Sequence, residues 1–400
     1  MTKQRKPESE RILTGNFALM FMGNLIVVSI YYLLMTTMAL YAITKHGTDG
    51  ATGGLVASMF LAGSIVGRII SGRYAAWIGS RKLTLVALLM QIVSCGLYFA
   101  DSLGIIFLIL VRFVHGFSFG IANTTIPAMA IDDLPRDKIG EGTGYFMLSS
   151  SLGLGIGPLM SILLVMGINY RVLFAICTIL AVVSIAAILM SSSGKDFVEQ
   201  ERPQRFAIGS VIDRSTVKLS IFMFFVAVAY SSLNSFATVF AAEQGWDAIG
   251  PFIFLTYSIV LIITRPITGR LLDRYGENSV LYPSIFCMAC GVLMAACAVN
   301  QWMLLSCGAF MALGFGTCMS CGQAVATKMT DQPTSALAIS TFFLLNDSGC
   351  GLGPVILGIV VNAGGYRTMY WVCVLIALAG LIYYFFAHGR KAGEKSIHQG

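Results

Sequence analysis

Long apolar stretches, separated by short runs of Gly, Pro or charged residues, constrain the fold of this 400-residue chain more than any other feature. A helix needs about 20 apolar residues to cross a hydrocarbon core of about 30 Å, so twelve spans use about 240 residues. The stretches lie at 17–43, 52–71, 83–100, 104–130, 142–166, 170–192, 219–242, 249–268, 279–299, 301–326, 335–361 and 366–388. This pattern predicts an all-α membrane protein with twelve transmembrane helices.

The composition excludes a soluble enzyme of ordinary type. Only 11% of the residues are charged and 56% are hydrophobic, whereas soluble domains carry about 25% charged residues. The net charge of +7 comes from Lys and Arg in the connections and tails, and no basic stripe is present. We therefore expect a lipid bilayer and no nucleic acid as partner. The first apolar stretch is too long for a secretory signal and reads as the first span.

The distribution of Lys and Arg predicts the orientation of the chain. If both termini are cytoplasmic, 20 of the 26 Lys and Arg residues lie on that side and 3 on the other, while 3 lie within spans or at their edges. Cytoplasmic loops of membrane proteins carry such an excess. The compact length and short loops favour a multi-pass protein of the bacterial inner membrane, with a monomer as the expected oligomeric state.

Four cysteines mimic the spacing of a zinc ribbon. Cys287 and Cys290 lie in span nine, and Cys318 and Cys321 lie in span ten. Zinc needs thiolates, which are costly to form in an apolar span, and free Cys behaves there as a small hydrophobic residue. We predict a structural role for these cysteines and no metal site.

An internal repeat divides the chain. Residues 193–218 form the one long polar connection, which predicts a bundle at 1–192, a cytoplasmic linker at 193–218 and a second bundle at 219–400. At an offset of 196–197, residues 68–73 match 265–270, 153–158 match 349–354, and 170–171 match 366–367. Each half has an even number of spans, so the two six-helix repeats are parallel and related by an axis along the membrane normal.

The connection after span two resembles a signature of the major facilitator superfamily, Gly-x-x-x-Asp-Arg-x-Gly-Arg-Arg/Lys. Residues 72–82 read GRYAAWIGSRK, with Ala76 and Trp77 in place of the Asp-Arg pair. The second-half copy at 269–276 keeps that pair as Asp273 and Arg274. In the family this loop gates the cytoplasmic side through a charge relay, which implies a weaker gate in the first half. The implied gating residues are Gly72, Arg73, Gly79, Arg81, Gly269, Arg270, Asp273, Arg274 and Gly276.

Two further motifs are similar to those of the twelve-helix drug:proton antiporter branch of this family. Arg112 and Gly116 in span four match an Arg-x-x-x-Gly signature linked to proton coupling. Residues 153–158 in span five, GLGIGP, match a signature associated with antiporters. The resemblance covers nearly the whole chain and implies a major facilitator fold, no bound cofactor and a proton gradient as energy source.

Small residues four apart let helix backbones approach closely, and Pro within a span loosens a backbone hydrogen bond. These properties suit sliding helix contacts between the halves. Static small-residue packing is the alternative, and Gly72 and Gly79 can equally be tight-turn glycines. The helix-sliding residues are Gly153, Gly157, Pro158, Gly349, Gly353 and Pro354.

An acid at bilayer depth is a functional hypothesis by default, and of the 19 acidic residues Asp347 alone lies deep in a span. It is about 18 Å from the cytoplasmic end of span eleven, and Arg112 is about 12 Å from the outer end of span four, nearly the same plane. Desolvation favours the neutral carboxyl while a nearby cation favours its ionised form. We predict proton coupling through Asp347 and Arg112. The alternatives are a structural Asp347 and an Arg112 that binds backbone carbonyls.

His115 shares a helix face with Arg112 and titrates near neutral pH, so it is a candidate proton relay, with helix packing as the alternative. Polar and aromatic residues at mid-span are candidates for lining a substrate site. They are Asn24, Tyr31, Tyr32, Tyr145, Tyr230, Asn234, Tyr257, Phe342 and Asn346.

These features predict a proton-coupled exporter of small amphiphilic molecules or drugs that works by alternating access. The alternative is an exporter or importer of a defined metabolite, such as a sugar, an amino-acid derivative or a metal-chelating metabolite, with Arg112 binding an anionic group. A receptor or a membrane-embedded enzyme is disfavoured because no sensory or catalytic domain and no Gly-Lys-Ser/Thr nucleotide loop occurs in the sequence.

Overall fold

The computed structural model describes residues 12–48, 50–167, 169–194, 212–246, 249–330 and 335–390, apart from the side chains of a few helical residues. The regular elements in these ranges are helices. They are α1 (Gly15–His46), α2 (Gly50–Ile78), α3 (Ser80–Leu97), α4 (Gly104–Asp132), α5 (Ile139–Gly167), α6 (Tyr170–Met190), α7 (Val217–Glu243), α8 (Gly250–Tyr275), α9 (Asn278–Ala296), α10 (Gln301–Met311), α11 (Thr317–Lys328) and α12 (Ser335–Tyr384).

These helices confirm the predicted fold class. Ten segments of the described chain are long and apolar enough to cross a membrane. The last of them, Ala336–Gly389, has 54 residues and is broken at Gly365, so it holds two spans. α5, with 29 residues, adds another. In a bilayer core the backbone must satisfy its own hydrogen bonds, so apolar stretches of this length become helices.

Two helices are interrupted or extended by π turns. Residues Ala312–Gly316 join α10 to α11 in one continuous helical rod, and Phe385–Gly389 follow α12. Such turns are rare and often occur at functional sites. The first of them lies at mid-span, where the apolar pattern of the sequence gives no sign of it.

The described residues group into two compact units. The first comprises the described parts of Met1–Pro135, Ser149–Ile212 and Gln332–Ser340, and the second those of Arg136–Leu148, Asp213–Asp331 and Thr341–Gly400. Each unit thus includes a short segment from the other half of the sequence. The predicted domain boundaries stay a prediction because most of the linker at 193–218 lies outside the described residues.

Short polar residues and glycines set the helix ends. The Thr14 hydroxyl accepts a hydrogen bond from the amide of Phe17 (3.1 Å) at the start of α1, and Asn300 Oδ1 accepts one from Met303 (3.0 Å) at the start of α10. Gly79 (φ 96°) ends α2, and its repeat partner Gly276 (φ 81°) ends α8. Both adopt the left-handed backbone that a tight turn requires.

In the first unit, α2 and α4 approach so closely that only glycine fits between them. A Cβ added to Gly63 or Gly67 of α2 would collide with backbone carbonyls of α4, and one added to Gly116 or Gly120 of α4 would collide with backbone carbonyls of α2. Close backbone approach of this kind is the usual packing of Gly-x-x-x-Gly helices in membranes. Gly116 of the Arg-x-x-x-Gly signature therefore sets the distance between α2 and α4.

Candidate functional site

The close α2–α4 contact places Arg112 in the interior of the first unit. Its side chain is fully buried. Nε donates to the Val56 carbonyl (3.3 Å), and the guanidinium lies 4.6 Å from the centre of the Phe60 ring, both on α2. Nη2 lies 3.9 Å from the Met35 sulfur on α1. These contacts match the alternative in which Arg112 binds carbonyls of neighbouring helices, while a role in proton coupling stays a prediction.

Among the side chains that the structure describes in the first unit, no carboxylate forms an ion pair with Arg112. The acids with described side chains there are Asp132 and Asp133, at the end of α4. Nη1 of Arg112 has no hydrogen-bond partner among the described residues. Asp347 belongs to the second unit, so the predicted interaction of Asp347 with Arg112 stays a prediction.

His115 lies beside Arg112 and is also fully buried. Its Nδ1 is 2.9 Å from the hydroxyl of Tyr98 on α3, and its ring packs edge-on against Phe60 at 5.4 Å. The imidazole is thus fixed between Tyr98 and Phe60, and its proton-relay role stays a prediction.

A dense polar contact in the second unit surrounds Asp273, near the end of α8. Asp273 Oδ1 accepts from the amide of Gly140 (2.8 Å) and Oδ2 from the amide of Glu141 (2.6 Å), at the start of α5. Lys328, at the end of α11, donates to Oδ1 at 2.6 Å. We call this set the Asp273 contact. Free amides at a helix start attract an anion, so the carboxylate caps α5 in trans.

Two neighbouring groups extend the Asp273 contact. Arg270 Nε donates to Glu141 Oε1 (2.6 Å), and its Nη2 donates to the Tyr145 hydroxyl (2.6 Å). Arg265, which precedes Arg270 on α8, donates to the carbonyl of Met147. Tyr145, predicted as substrate-lining, is therefore engaged at this contact. Arg274 is exposed and lies 5.1 Å from the Tyr275 ring.

Glycines allow α5 and α8 to come this close. A Cβ added to Gly140 would lie 2.7 Å from the Gly269 carbonyl, and one added to Gly144 would lie 2.5 Å from the Arg265 carbonyl. A Cβ on Gly269 would in turn lie 2.9 Å from the Glu141 Cα. The role of Gly269 is thus steric, because it lets the carboxylate of Asp273 reach the α5 amides.

The first copy of the loop makes a different contact, within the first unit. Gly72 packs on Ser340 near the start of α12, where an added Cβ would lie 2.5 Å from the Ser340 side chain. Ser340 Oγ donates to the Arg68 carbonyl at 2.7 Å. We call this pair the Ser340 contact. Arg73 is buried, with its guanidinium 5.5 Å from the Tyr74 ring.

Polar groups after Gly79 tie the first unit together internally. Arg81 donates to the carbonyls of Leu189 (3.1 Å) and Ser193 (3.0 Å) at the end of α6. Ser193 Oγ donates to Asp133 Oδ2 (2.5 Å) just after α4. Burial raises the pKa of the Asp133 carboxyl, and the hydrogen bond from Ser193 opposes that rise. Arg81 therefore connects α3 to the end of α6, and Ser193 connects that same end to α4.

Asp347 lies in α12, half-buried, in the second unit. Its Oδ1 accepts from the side-chain amide of Asn346 at 3.0 Å. Of the described acids in the second unit it is the one at mid-span, since the others lie at helix ends or in loops. Its predicted depth in the membrane and its proton-carrying role stay predictions.

The glycines of the antiporter-like motif pack within each half of the sequence. Gly153 and Gly157 of α5 face α1, where added Cβ atoms would lie 2.8 Å from the Val28 side chain and 2.5 Å from the Tyr32 Cβ. Gly349 and Gly353 of α12 pack in the same way on α7. These four glycines thus contact helices of their own half of the sequence. The predicted sliding contact between the halves stays a prediction. Pro354 lies inside α12, and the side chain of Pro158 lies outside the described residues.

Several predicted substrate-lining residues are engaged in packing. The Asn24 amide is fully buried and donates to the hydroxyls of Ser149 (2.7 Å) and Ser150 (3.2 Å) on α5. Tyr31 stacks on Phe60 (5.2 Å) and lies 4.6 Å from Tyr32. Phe342 is buried beside Gly322, and the side-chain amide of Asn346 donates to Asp347. Asn234 is exposed on α7, and the Tyr230 ring lies 5.7 Å from the Tyr257 ring.

Sequence reasoning missed the partners of Asp273. Gly140 and Gly144 have the Gly-x-x-x-Gly spacing of close helix packing, which is a usable signal, and Glu141 lies between them. Lys328 gave no signal beyond its place at a span end. The described residues contain no group of three His, Cys, Asp or Glu side chains that could hold a metal ion.

Comparisons with known proteins place the chain in a broad group. Residues 20–300 and 252–399 match the sequence model of the Major Facilitator Superfamily. The uncharacterized MFS-type transporter YhhS of Escherichia coli (strain K12) is 22% identical over 360 residues, covering 86% of this chain and 84% of its own length. The multidrug resistance protein MdtG of Salmonella dublin is 26% identical over 172 residues, 41% of this chain and 42% of its own length.

Solved structures share the fold at low sequence identity. The human organic anion transporter MFSD10 (TETRAN) has a TM-score of 0.79 at 13% identity and covers 94% of this chain and 100% of its own. The proton:xylose symporter XylE has a TM-score of 0.76 at 14% identity, with 94% and 95% coverage. These likenesses concern the arrangement of the helices, not the transported molecule.

Proposed function

Because the chain belongs to the Major Facilitator Superfamily and is a multi-pass membrane transporter of that family, we propose that it is a proton-coupled secondary transporter that exports small amphiphilic molecules or drugs by alternating access. Its partners are then a small-molecule substrate, protons and the bilayer, and its energy source is the proton gradient. The name of the relative MdtG, a multidrug resistance protein, supports this substrate class.

The Asp273 contact is the observation that carries the proposal. It joins the start of α5, from the first half of the sequence, to the end of α8 in the second half through one carboxylate, two amides and a lysine. Charge-assisted hydrogen bonds are strong and break as a set when the partners separate. Alternating access needs such a releasable contact, and we propose that it opens once in each transport cycle.

The contact also fits the proposed orientation. The ends of α5, α8 and α11 that meet there lie on the side that carries most Lys and Arg, which we propose as cytoplasmic, with both termini on that side and the protein in a bacterial inner membrane. Relatives in bacteria such as Escherichia coli support this location.

Asp347 is the proposed proton carrier. It is half-buried at mid-span, where a carboxyl can be driven to the neutral form by desolvation and back to the anion by contact with water or a cation. A proton bound and released at this residue as α12 changes its surroundings couples the gradient to export.

Transport of a defined metabolite is the second candidate, whether a sugar, an amino-acid derivative or a metal-chelating metabolite. The observation that favours it is Arg112, whose buried Nη1 has no hydrogen-bond partner among the described residues. An anionic group reaching this guanidinium would gain a strong, charge-assisted bond. MFSD10 is named an organic anion transporter and XylE a proton:xylose symporter, and both names fit this class of transported molecule.

The test uses the full chain reconstituted in liposomes that contain a pH-sensitive dye. With an imposed proton gradient, cationic, neutral and anionic solutes are tested on the wild type, Asp347→Asn and Glu243→Gln, an exposed acid at the end of α7 that serves as control. We expect solute-dependent proton flux in the wild type and in Glu243→Gln, and none in Asp347→Asn. Flux that persists unchanged in Asp347→Asn contradicts the carrier role, and a response to anionic solutes alone favours the second candidate.

A further inference from the structure

The end of the last helix is bound to the start of α9, within the second unit. The π turn Phe385–Gly389 follows α12 and ends beside Asn278, whose side-chain amide donates to the Gly389 carbonyl at 2.7 Å. The Tyr384 hydroxyl donates to Asn278 Oδ1 at 2.9 Å. A Cβ added to Gly389 would collide with the Tyr282 hydroxyl, so the π turn and α9 touch with no space between them at this point.

One pair in this contact can change its charge. His388 Nε2 lies 2.9 Å from Glu277 Oε1, with 12% and 24% of the two side chains exposed. Histidine is the side chain that ordinarily gains or loses a proton between about pH 5 and 8. A protonated His388 donates to the carboxylate as a cation, and charge-assisted hydrogen bonds are roughly twice as strong as neutral ones. The pair is therefore stronger at the acidic end of this range. We call Glu277, Asn278, Tyr384 and His388 the α9 clasp.

The elements around the His388–Glu277 pair carry other titratable or charged side chains. They are Arg274 at the end of α8, Tyr282 on α9, Tyr384 and Arg390 on either side of the π turn, Cys318 of α11 near Tyr384, and Lys218 in the first turn of α7, which packs against the π turn. Phenols and thiols ordinarily lose their protons at higher pH than histidine, and arginine and lysine stay charged throughout this range. Among these described groups, His388 is the one expected to change its charge near neutral pH.

The α9 clasp lies next to the Asp273 contact in the chain. Gly276, which has a left-handed backbone and ends α8, is followed directly by Glu277, and Asp273 lies four residues before Glu277. A hydrogen bond at Glu277 therefore limits the movement of the connection between α8 and α9. This connection is the end of the second copy of the gating loop.

We propose that the α9 clasp is a pH-sensitive lock on the second copy of the gating loop. Protonated His388 holds the start of α9 to the end of α12, and loss of that proton weakens the lock and lets the α8–α9 connection open locally more often. The inference goes beyond the proposed function, because it names a control of the loop by the pH on its own side of the membrane, whichever molecule is transported.

Hydrogen exchange of the 274–282 segment tests the lock. The full-length protein in detergent is followed by mass spectrometry from about pH 5.5 to about pH 8, across the range in which histidine titrates. Exchange rates are converted to protection factors, which removes the intrinsic effect of pH on exchange. We expect the wild-type protection to fall about 2- to 10-fold as the pH rises, because a charge-assisted bond is replaced by a neutral one. His388→Gln should lose this pH dependence, with protection near that of the wild type at high pH, and Glu277→Gln should lose it as well.

The matched control is His46→Gln, which removes a histidine at the end of α1 in the first unit. It should leave the pH dependence of the 274–282 segment unchanged. Tyr384→Phe removes the bond to Asn278, which does not depend on the charge of His388, so it should lower the protection by a similar factor at every pH.

Three results overturn the lock. They are wild-type protection that does not change with pH, a pH dependence that persists in His388→Gln, and a pH dependence that is lost in His46→Gln. Transport in liposomes judges the proposed function separately: absence of export contradicts that function, and the exchange experiment still decides whether the α9 clasp responds to pH.

Discussion

The two copies of the gating loop share their glycine positions but differ in charge. Both start with a glycine pressed against another helix, Gly72 against α12 and Gly269 against α5, and both end in a left-handed glycine. At the position of the acid the first copy has Ala76 and the second has Asp273. The backbone geometry of the repeat thus survives without the charge.

The difference shows what one carboxylate adds to a close helix contact. The Ser340 contact consists of glycine packing and a neutral hydrogen bond from Ser340 to Arg68. The Asp273 contact adds two hydrogen bonds from backbone amides, one from a lysine, and the attraction of a helix start for an anion. Charge-assisted hydrogen bonds are roughly twice as strong as neutral ones. We therefore expect the second contact to be the stronger and the more sensitive to substitution.

Of the substitutions at the two contacts, removal of the charge from Asp273 should destabilise the helix packing most. In Asp273→Asn the amides of Gly140 and Glu141 lose an anionic acceptor, at a cost of about 1.5–3 kcal/mol for each bond to a charged group. We expect hydrogen exchange of the 136–148 segment to accelerate at least about tenfold, since about 1.4 kcal/mol corresponds to that factor. Mass spectrometry of the protein in detergent measures it.

The control is Asp213→Asn, because Asp213 accepts from Ser215 in its own loop (2.7 Å). Exchange of 136–148 in this variant should equal that of the wild type. If Asp273→Asn also leaves the segment unchanged, the carboxylate does not hold the start of α5.

Introduction of the missing acid should give the first copy of the loop the same carboxylate–helix contact that Asp273 makes in the second copy. Ala76→Asp places a carboxylate four residues after Gly72, and at the repeat offset of 196 its targets are the amides of residues 336 and 337 at the start of α12. A helix cap of this kind contributes about 0.5–2 kcal/mol. We expect slower exchange of the 335–341 segment and slower transport.

Ala76→Asn separates charge from size in this experiment. Its effect on exchange should be smaller than that of Ala76→Asp. Equal protection by the two variants would mean that the charge does not matter, and no protection by either would mean that Ala76 does not face the start of α12.

Alanine at the glycines compares the stiffness of the two contacts. A methyl at Gly144 meets a backbone carbonyl of α8, whereas one at Gly72 meets side chains, those of Ser340 and Leu337. Overpacking of this type costs about 1–3 kcal/mol. We expect Gly144→Ala to lower the thermal midpoint in detergent by more than Gly72→Ala. Gly54→Ala is the control, because no atom lies within 4 Å of the added Cβ, and it should leave the thermal midpoint unchanged. A larger decrease of the midpoint in Gly72→Ala than in Gly144→Ala would falsify the comparison.

The smallest effect is expected at the Arg270–Glu141 pair. Arg270 is 59% exposed at its side chain, and exposed ion pairs contribute little to stability because solvent screens them. A double-mutant cycle of Arg270→Gln and Glu141→Gln, followed by thermal unfolding at low and high salt, should give a small coupling that decreases with salt. If breaking this pair lowers the thermal midpoint more than Asp273→Asn does, the pair, and not Asp273, dominates the contact.

Part of the candidate site could be predicted because motifs and depth are local properties. Asp273 was found from the second copy of the loop, and Asp347 from its distance to the span end. The partners of Asp273 could not be found in this way, since Gly140 lies 133 positions away in the sequence. The π turn at Ala312–Gly316 could not be predicted either, because it leaves the apolar pattern of the span unchanged.

The twelve spans and the all-α membrane fold follow from the sequence by itself, because a backbone in hydrocarbon must satisfy its hydrogen bonds within the helix and needs about 20 apolar residues to cross. The tertiary structure alone decided which side of each helix meets which neighbour. It turned Arg112 into the interior of α1, α2 and α4, bound Asn24 to α5, and brought the start of α5 to Asp273. The physical reason is that an apolar pattern specifies the depth of a residue in the membrane, whereas its partners depend on packing between segments far apart in the chain.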